Sequence, residues 1–106
     1  MKYEIIWSDF AEKQIDEIHK FYYNKTKSLN IANRIVSRII IAPDSLKHSP
    51  EIGQREPALT NRKLEYRYIV ESNYKLIYTI NKEKQQVRIT DIFDTRQSPT
   101  KIKRNK

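Results

Sequence analysis

The chain has 106 residues, 21 Lys and Arg against 13 Asp and Glu, a formal charge of +8, one Gly and no Cys. That length makes one ordinary domain, and the lack of Cys excludes disulfide frameworks, thiol nucleophiles, zinc ribbons and iron–sulfur clusters. A single Gly excludes glycine-rich phosphate loops and the serine elbow, which need several backbone positions free of a Cβ.

Only His19 and His48 are available as imidazoles, with no matching carboxylate spacing, so no metal and no cofactor is expected. No run of about 18 apolar residues occurs and the first residues do not read as a signal peptide, so a cytoplasmic protein without membrane contact is expected. The charge is uneven. Residues 1–54 carry net +1 and residues 55–106 net +7, with +5 in residues 95–106 alone. A basic excess on one half suits a polyanion or an acidic protein partner. A solvated basic tail explains the terminal part equally well.

In chain order, residues 2–7 are rich in β-branched and aromatic types and read as a strand. Ser8 or Asp9, with Glu12, forms a capping signature. Phe10, Ala11, Ile15, Ile18, Phe21 and Tyr22 then recur at helical spacing, which predicts a helix over about 9–24. After a polar break, Ser28 or Asn30 opens a second helix with Ile31, Ala32, Ile35, Val36, Ile39 and Ile40 on its buried face. Pro43 removes a backbone donor, so this helix ends or kinks near Ala42. Ser49–Gly53 and Pro57 belong to an irregular stretch.

The remainder is β. Lys63 to Val70 alternates Leu64, Tyr66, Tyr68 and Val70 against Lys63, Glu65, Arg67 and Ile69. Tyr74 to Ile80 and Val87 to Phe93 follow, joined by short polar turns, which predicts an antiparallel meander. The expected fold is α+β, in the order β-α-α-β-β-β. A two-helix hairpin packs on one face of a small antiparallel sheet, with a basic C-terminal tail. The other sheet face is expected to stay more open, carrying Lys75 and Thr79 with Ile77 as an apolar patch.

An open face with cations and aromatic rings suits RNA, since Lys and Arg neutralise phosphate and Tyr stacks on bases. Tyr66, Tyr68, Ile77 and Thr79 form the expected binding surface, although tyrosines at strand spacing serve core packing as well. Phosphodiester cleavage needs a base, an acid and cations for the charged phosphorane, and Lys, Arg and Tyr supply these without metal. His19 reads as an edge residue and His48 as a loop residue. Asp91, in step with Val87, Ile89 and Phe93, reads as a buried structural acid rather than half of a carboxylate pair with Asp94.

Four features in order resemble the RelE/ParE superfamily of type II toxin–antitoxin toxins, over about residues 3–103. They are Trp7-Ser8 followed by Phe10-Ala11-Glu12, the helical hairpin with Ile31–Ile35 opening its second arm, the Pro50–Gly53 loop, and the pair Tyr74–Tyr78 and Ile92–Pro99. The resemblance implies one toxin domain over residues 1–94 with a basic segment at 95–106. It further implies a growth-inhibiting protein of a plasmid-stabilising addiction module, held inactive by a cognate antitoxin. RelE-like members cut mRNA on the ribosome, and ParE-like members poison DNA gyrase without being nucleases.

For a nuclease, the resemblance puts catalysis on Lys75, Arg96, Arg67 and Lys63. Arg96 matches the closing arginine directly. Lys75 replaces an arginine and loses its bidentate fork. Tyr66 and Tyr68 stand where lysines precede the strand motif, with Arg67 and Lys63 nearby. The tyrosine expected after the closing arginine is replaced by Pro99 to Ile102. The long hairpin, Asp9 to Ala42, looks more like the ParE branch. Gyrase poisoning or another non-nucleolytic action is therefore slightly favoured over mRNA cleavage, with a non-toxic RNA-binding or interaction module as a third reading.

Overall fold

The computed structural model describes residues 2–98 and 100–102. Strand β1 (Glu4–Trp7) leads into α1 (Asp9–Thr26), α2 (Leu29–Ile41), β2 (Gln54–Arg55), β3 (Arg67–Glu71), β4 (Tyr74–Asn81) and β5 (Gln86–Asp94). The strands form one sheet in the order β1-β5-β4-β3-β2. Pairs β3–β4 and β4–β5 are antiparallel, as the meander predicts, and the two-residue β2, from the stretch read as irregular, adds an antiparallel pair with β3. β1 completes the sheet by running parallel to β5 at the edge.

The helix ends follow their caps. The Ser8 hydroxyl accepts from the Ala11 amide at 3.1 Å, filling one orphan donor at the start of α1. Lys27 ends α1 in the left-handed region at φ 58°, and its N–H returns to the Tyr23 carbonyl at 2.7 Å. Ser28 then caps α2 by accepting from Ile31 at 3.2 Å. The two helices are thus joined by two residues. Pro43 stops α2 at Ile41, and the chain continues as a 3-10 turn over Ala42–Leu46.

The helix stripes meet one sheet face. Ala11 and Ile39 pack with Tyr74, Leu76 and Tyr78 of β4 and Val87, Ile89 and Ile92 of β5, with Leu46 beyond the Pro43 break. Ile15, Ile18, Tyr22 and Ile35 border this core. The expected α+β fold with its helical hairpin on one face is what the chain adopts.

Three details depart from the pattern. β3 begins at Arg67 rather than Lys63; residues 63–66 belong to a loop whose base is closed by the Glu56 amide donating to the Tyr66 carbonyl at 2.8 Å. Leu64 is consequently exposed, and so is Val70. β5 carries a bulge: Ile77 pairs with Asp91 but Tyr78 with Ile89, so Thr90 is the extra residue. The bulge breaks the step that related Asp91 to Val87 and Ile89. Asp91 is fully buried and accepts from Gln14 Nε2 of α1 at 2.8 Å, a structural acid held by an amide.

The third departure is the second sheet face. It is closed around Ile77, which is fully buried with Leu59, Phe93 and Ile102 under Ala58, Tyr66 and Tyr68. The loop after β2 supplies Leu59, and the segment after β5 supplies Ile102. Alternation along β4 fixes which way Ile77 points but carries no signal about what folds over it. Residues 95–106 are therefore not wholly a solvated tail, since Ile102 is core. Pro99, Lys103, Arg104 and Lys106 lie outside the described residues.

Candidate functional site

Gly53 and Tyr78 organise the turn before β2. The Tyr78 hydroxyl accepts from the Gly53 amide at 3.1 Å and donates to the Pro50 carbonyl at 2.7 Å. A Cβ on Gly53 would lie 2.3 Å from that hydroxyl and 2.7 Å from the Tyr68 carbonyl, so only glycine fits. Burial pushes the Tyr78 phenol up, with partial relief from the Gly53 hydrogen bond.

Arg67 serves the same turn. Its Nη1 donates to the Gly53 carbonyl at 2.7 Å and the Glu51 carbonyl at 3.1 Å, while Nε meets Glu65 at 2.7 Å. It stands opposite Tyr78 in the sheet, whereas Lys75 stands opposite Val70 and Phe93. Paired antiparallel residues share a face, and alternation along β4 puts positions 75 and 78 on opposite faces. Arg67 and Lys75 do not converge.

Lys75 is occupied. Its Nζ lies 2.9 Å from Glu56 Oε1 and 4.2 Å above the centre of the Tyr68 ring. The Glu56 side chain is only 1% exposed and that of Lys75 21%. Glu56 Oε2 also accepts from the Ala58 amide at 2.9 Å, capping the 3-10 turn Pro57–Leu59. A carboxylate therefore holds the place a phosphate would need on this lysine. Sequence reading gave Glu56 no role; the signal was an acid directly before Pro57 in an irregular stretch, a short-range cap.

Arg96 is held by Asp94. Nε lies 3.0 Å from Oδ1 and Nη2 2.8 Å from Oδ2, and the Arg96 amide also donates to Oδ1 at 2.9 Å. These hydrogen bonds pull the Asp94 carboxyl down to about 2. Tyr74, opposite Asp94, donates to the Tyr22 hydroxyl at 3.4 Å, and burial pushes its phenol up. Lys63 is exposed on the loop after β2, and Thr79 is half-buried next to the β4–β5 turn. Tyr66 and Tyr68 lie against the second core, and Ile77 is inside it. The eight expected site residues are thus spread over a core, a loop and two faces.

The structure offers a groove instead. About 510 Å³ of open space runs between α1 and the end of β5, walled by Phe10, Ile18 and Phe21 on the helix and Ile92, Arg96 and Gln97 opposite. Phe21 is 51% exposed although it sits on the apolar stripe of α1. His19 donates to or accepts from Asn33 at 2.8 Å across the hairpin, and His48 is exposed. Among the described residues no group of three His, Cys, Asp or Glu could hold a metal ion, and no helix is long and apolar enough to cross a membrane.

A helical hairpin on one face of a five-stranded, mostly antiparallel sheet defines an α+β architecture. The chain belongs to the family of ParE toxins of type II toxin–antitoxin systems (parDE), which matches residues 5–99. Among solved structures it is similar to one described as "Chromosomal ParDE TA system from P. aeruginosa", with a TM-score of 0.69 and 15% sequence identity. That match covers 88% of this chain and 96% of the other. No curated protein sequence matches significantly.

Proposed function

We propose that this chain arrests bacterial growth as the toxin of a toxin–antitoxin pair, without cutting RNA, and that its target is DNA gyrase. Family membership supports the toxin reading. The observation that favours a non-nucleolytic action is the state of the cations. Lys75 is bound by buried Glu56, Arg96 by Asp94, and Arg67 is spent on the Gly53 turn. A phosphorane needs converging cations that are free to strengthen their bonds as charge develops. Here each has a carboxylate or carbonyl already in place, and Arg67 and Lys75 lie on opposite faces of the sheet.

The groove beside α1 is the docking surface for the antitoxin in this reading. A segment with apolar residues at helical spacing would cover Phe10, Ile18 and Phe21 of a groove that Glu17, Asp94 and Arg96 also line, and acidic residues beyond it would complement a chain of formal charge +8. Binding there occludes the toxin in the cytoplasm until the antitoxin is removed. Induced expression in bacteria, with and without the neighbouring reading frame, tests this. Growth arrest relieved by co-expression, with transcript 5′ ends unchanged in the first minutes, is the expected result. New 5′ ends within codons of translated messages would establish the RelE-like mRNA endonuclease instead, and harmless expression a non-toxic binding module.

A further inference from the structure

We propose that the loop joining β2 to β3 is a binding site for phosphate groups, formed by Arg55, Arg62 and Lys63. The site stands apart from the antitoxin groove and from the toxin reading. A cavity of about 190 Å³ opens on this loop, lined by Arg55, Arg62, Lys63, Thr60, Glu65 and Tyr66.

The charges around it do not cancel. Arg62 Nε is buried and makes no hydrogen bond among the described residues. A buried donor is ordinarily satisfied, so Arg62 brings to the lining of this cavity a guanidinium that the chain itself leaves incompletely satisfied. Lys63 is exposed and makes no ion pair among the described residues. Arg55 Nη2 lies 3.0 Å from Glu65 Oε1, but Glu65 also holds Arg67 Nε at 2.7 Å. One carboxylate is thus shared by two guanidinium groups. The other acid at the cavity, Glu56, is turned to Lys75 and the Ala58 amide. Three cations face one shared carboxylate.

Lys47, Lys75, Lys82 and Arg96 each pair with an acid. The loop is also anchored. Its base is closed by the Glu56–Tyr66 backbone bond, Leu59 is anchored in the second core, and the Arg62 amide donates to the Leu59 carbonyl at 3.3 Å. Cations presented from a fixed loop lose little freedom on binding. Guanidinium forks suit the geometry of a tetrahedral oxyanion. The Thr60 hydroxyl adds a neutral donor to the same cavity.

Titration of the folded protein with a fluorescein-labelled single-stranded DNA 12-mer, its RNA equivalent, adenosine monophosphate and inorganic phosphate tests the site. The readouts are anisotropy for the oligonucleotides and amide shifts for the small ligands. The expected result is binding in which R62Q/K63Q loses at least tenfold in affinity, while K13A/K20A on α1 matches wild type. The salt slope should drop by about 1 to 1.5 on removing two phosphate contacts. Tight oligonucleotide binding identifies a nucleic-acid backbone as the source of the phosphate. Shifts at residues 60–63 with the small ligands alone identify a free phosphate or nucleotide. K63Q, an exposed change, should lose at least threefold with thermal unfolding unchanged. No binding by any ligand, or binding by R62Q/K63Q equal to wild type, would overturn the proposal.

Discussion

The hydroxyl of Tyr78 is buttoned to Gly53: it takes the glycine amide at 3.1 Å and gives its own proton to Pro50 at 2.7 Å, all three residues being buried. This single phenol closes the turn that leads from the helical layer into β2, and Arg67 holds the same turn from the side. The Pro50–Gly53 motif and the last tyrosine of the β4 motif are therefore one structural unit. Neither residue is left over for chemistry.

Tyr78→Phe leaves a buried N–H and a buried carbonyl without partners. The expected loss is about 1–3 kcal/mol in urea-induced unfolding, read as a lower midpoint at unchanged slope. Gly53→Ala should cost at least as much, because its Cβ meets a backbone carbonyl that cannot swing away. A Gly53→Ala protein as stable as wild type would contradict this account of the turn.

The Glu56–Lys75 pair makes a second prediction. Glu56→Gln strands the ammonium beside a nearly buried amide, and Lys75→Met strands a carboxylate that is almost fully buried. Each should cost about 1–3 kcal/mol, the double change less than the sum, since it removes both charges together. Growth arrest by Lys75→Met should fall only in proportion to the folded protein recovered. A well-folded Lys75→Met that has lost all activity would return Lys75 to a direct role.

Asp94 provides a pH signature. Its carboxyl is held at about 2 by Arg96, below the ordinary unfolded value of about 4. A depressed folded-state value means that the pair stabilises above pH 4 and that this contribution disappears as pH falls from 4 to 2. Carbon-13 titration of the Asp94 carboxyl should show the low value. Arg96→Ala should return it toward 4, with a shallower acid loss of stability across the same window.

The groove predicts selective loss of antitoxin binding. Phe21→Asp changes a half-exposed ring, so folding should be nearly unaffected. Affinity for the proposed antitoxin should fall at least tenfold by calorimetry, since an apolar anchor is replaced by a charge that must be desolvated. An unchanged affinity would place the antitoxin elsewhere.

Much of the architecture was legible in the residues. Ser8, Ser28 and Pro43 mark the helix limits by capping and by a missing donor, and the stripes of α1 and α2 give the buried faces. The bulge at Thr90 was not legible, because an extra residue leaves a strand's composition unchanged while shifting its alternation. The closed second face was missed for a related reason: Leu59 and Ile102 sit in segments with no period of their own. The candidate site was misread where charge was counted without its partners. Lys75, Arg67 and Arg96 look like free cations in sequence because Glu56, Gly53 and Asp94 answer them only after folding.

A supercoiling reaction separates a toxin that poisons gyrase from one that cuts RNA. Purified toxin should be added to DNA gyrase, ATP and relaxed plasmid, and the products resolved with and without denaturant. The account predicts loss of supercoiling and accumulation of linear plasmid from trapped cleavage complexes, both reversed by the antitoxin. Full supercoiling with no linear plasmid, at toxin concentrations that arrest growth, would contradict it.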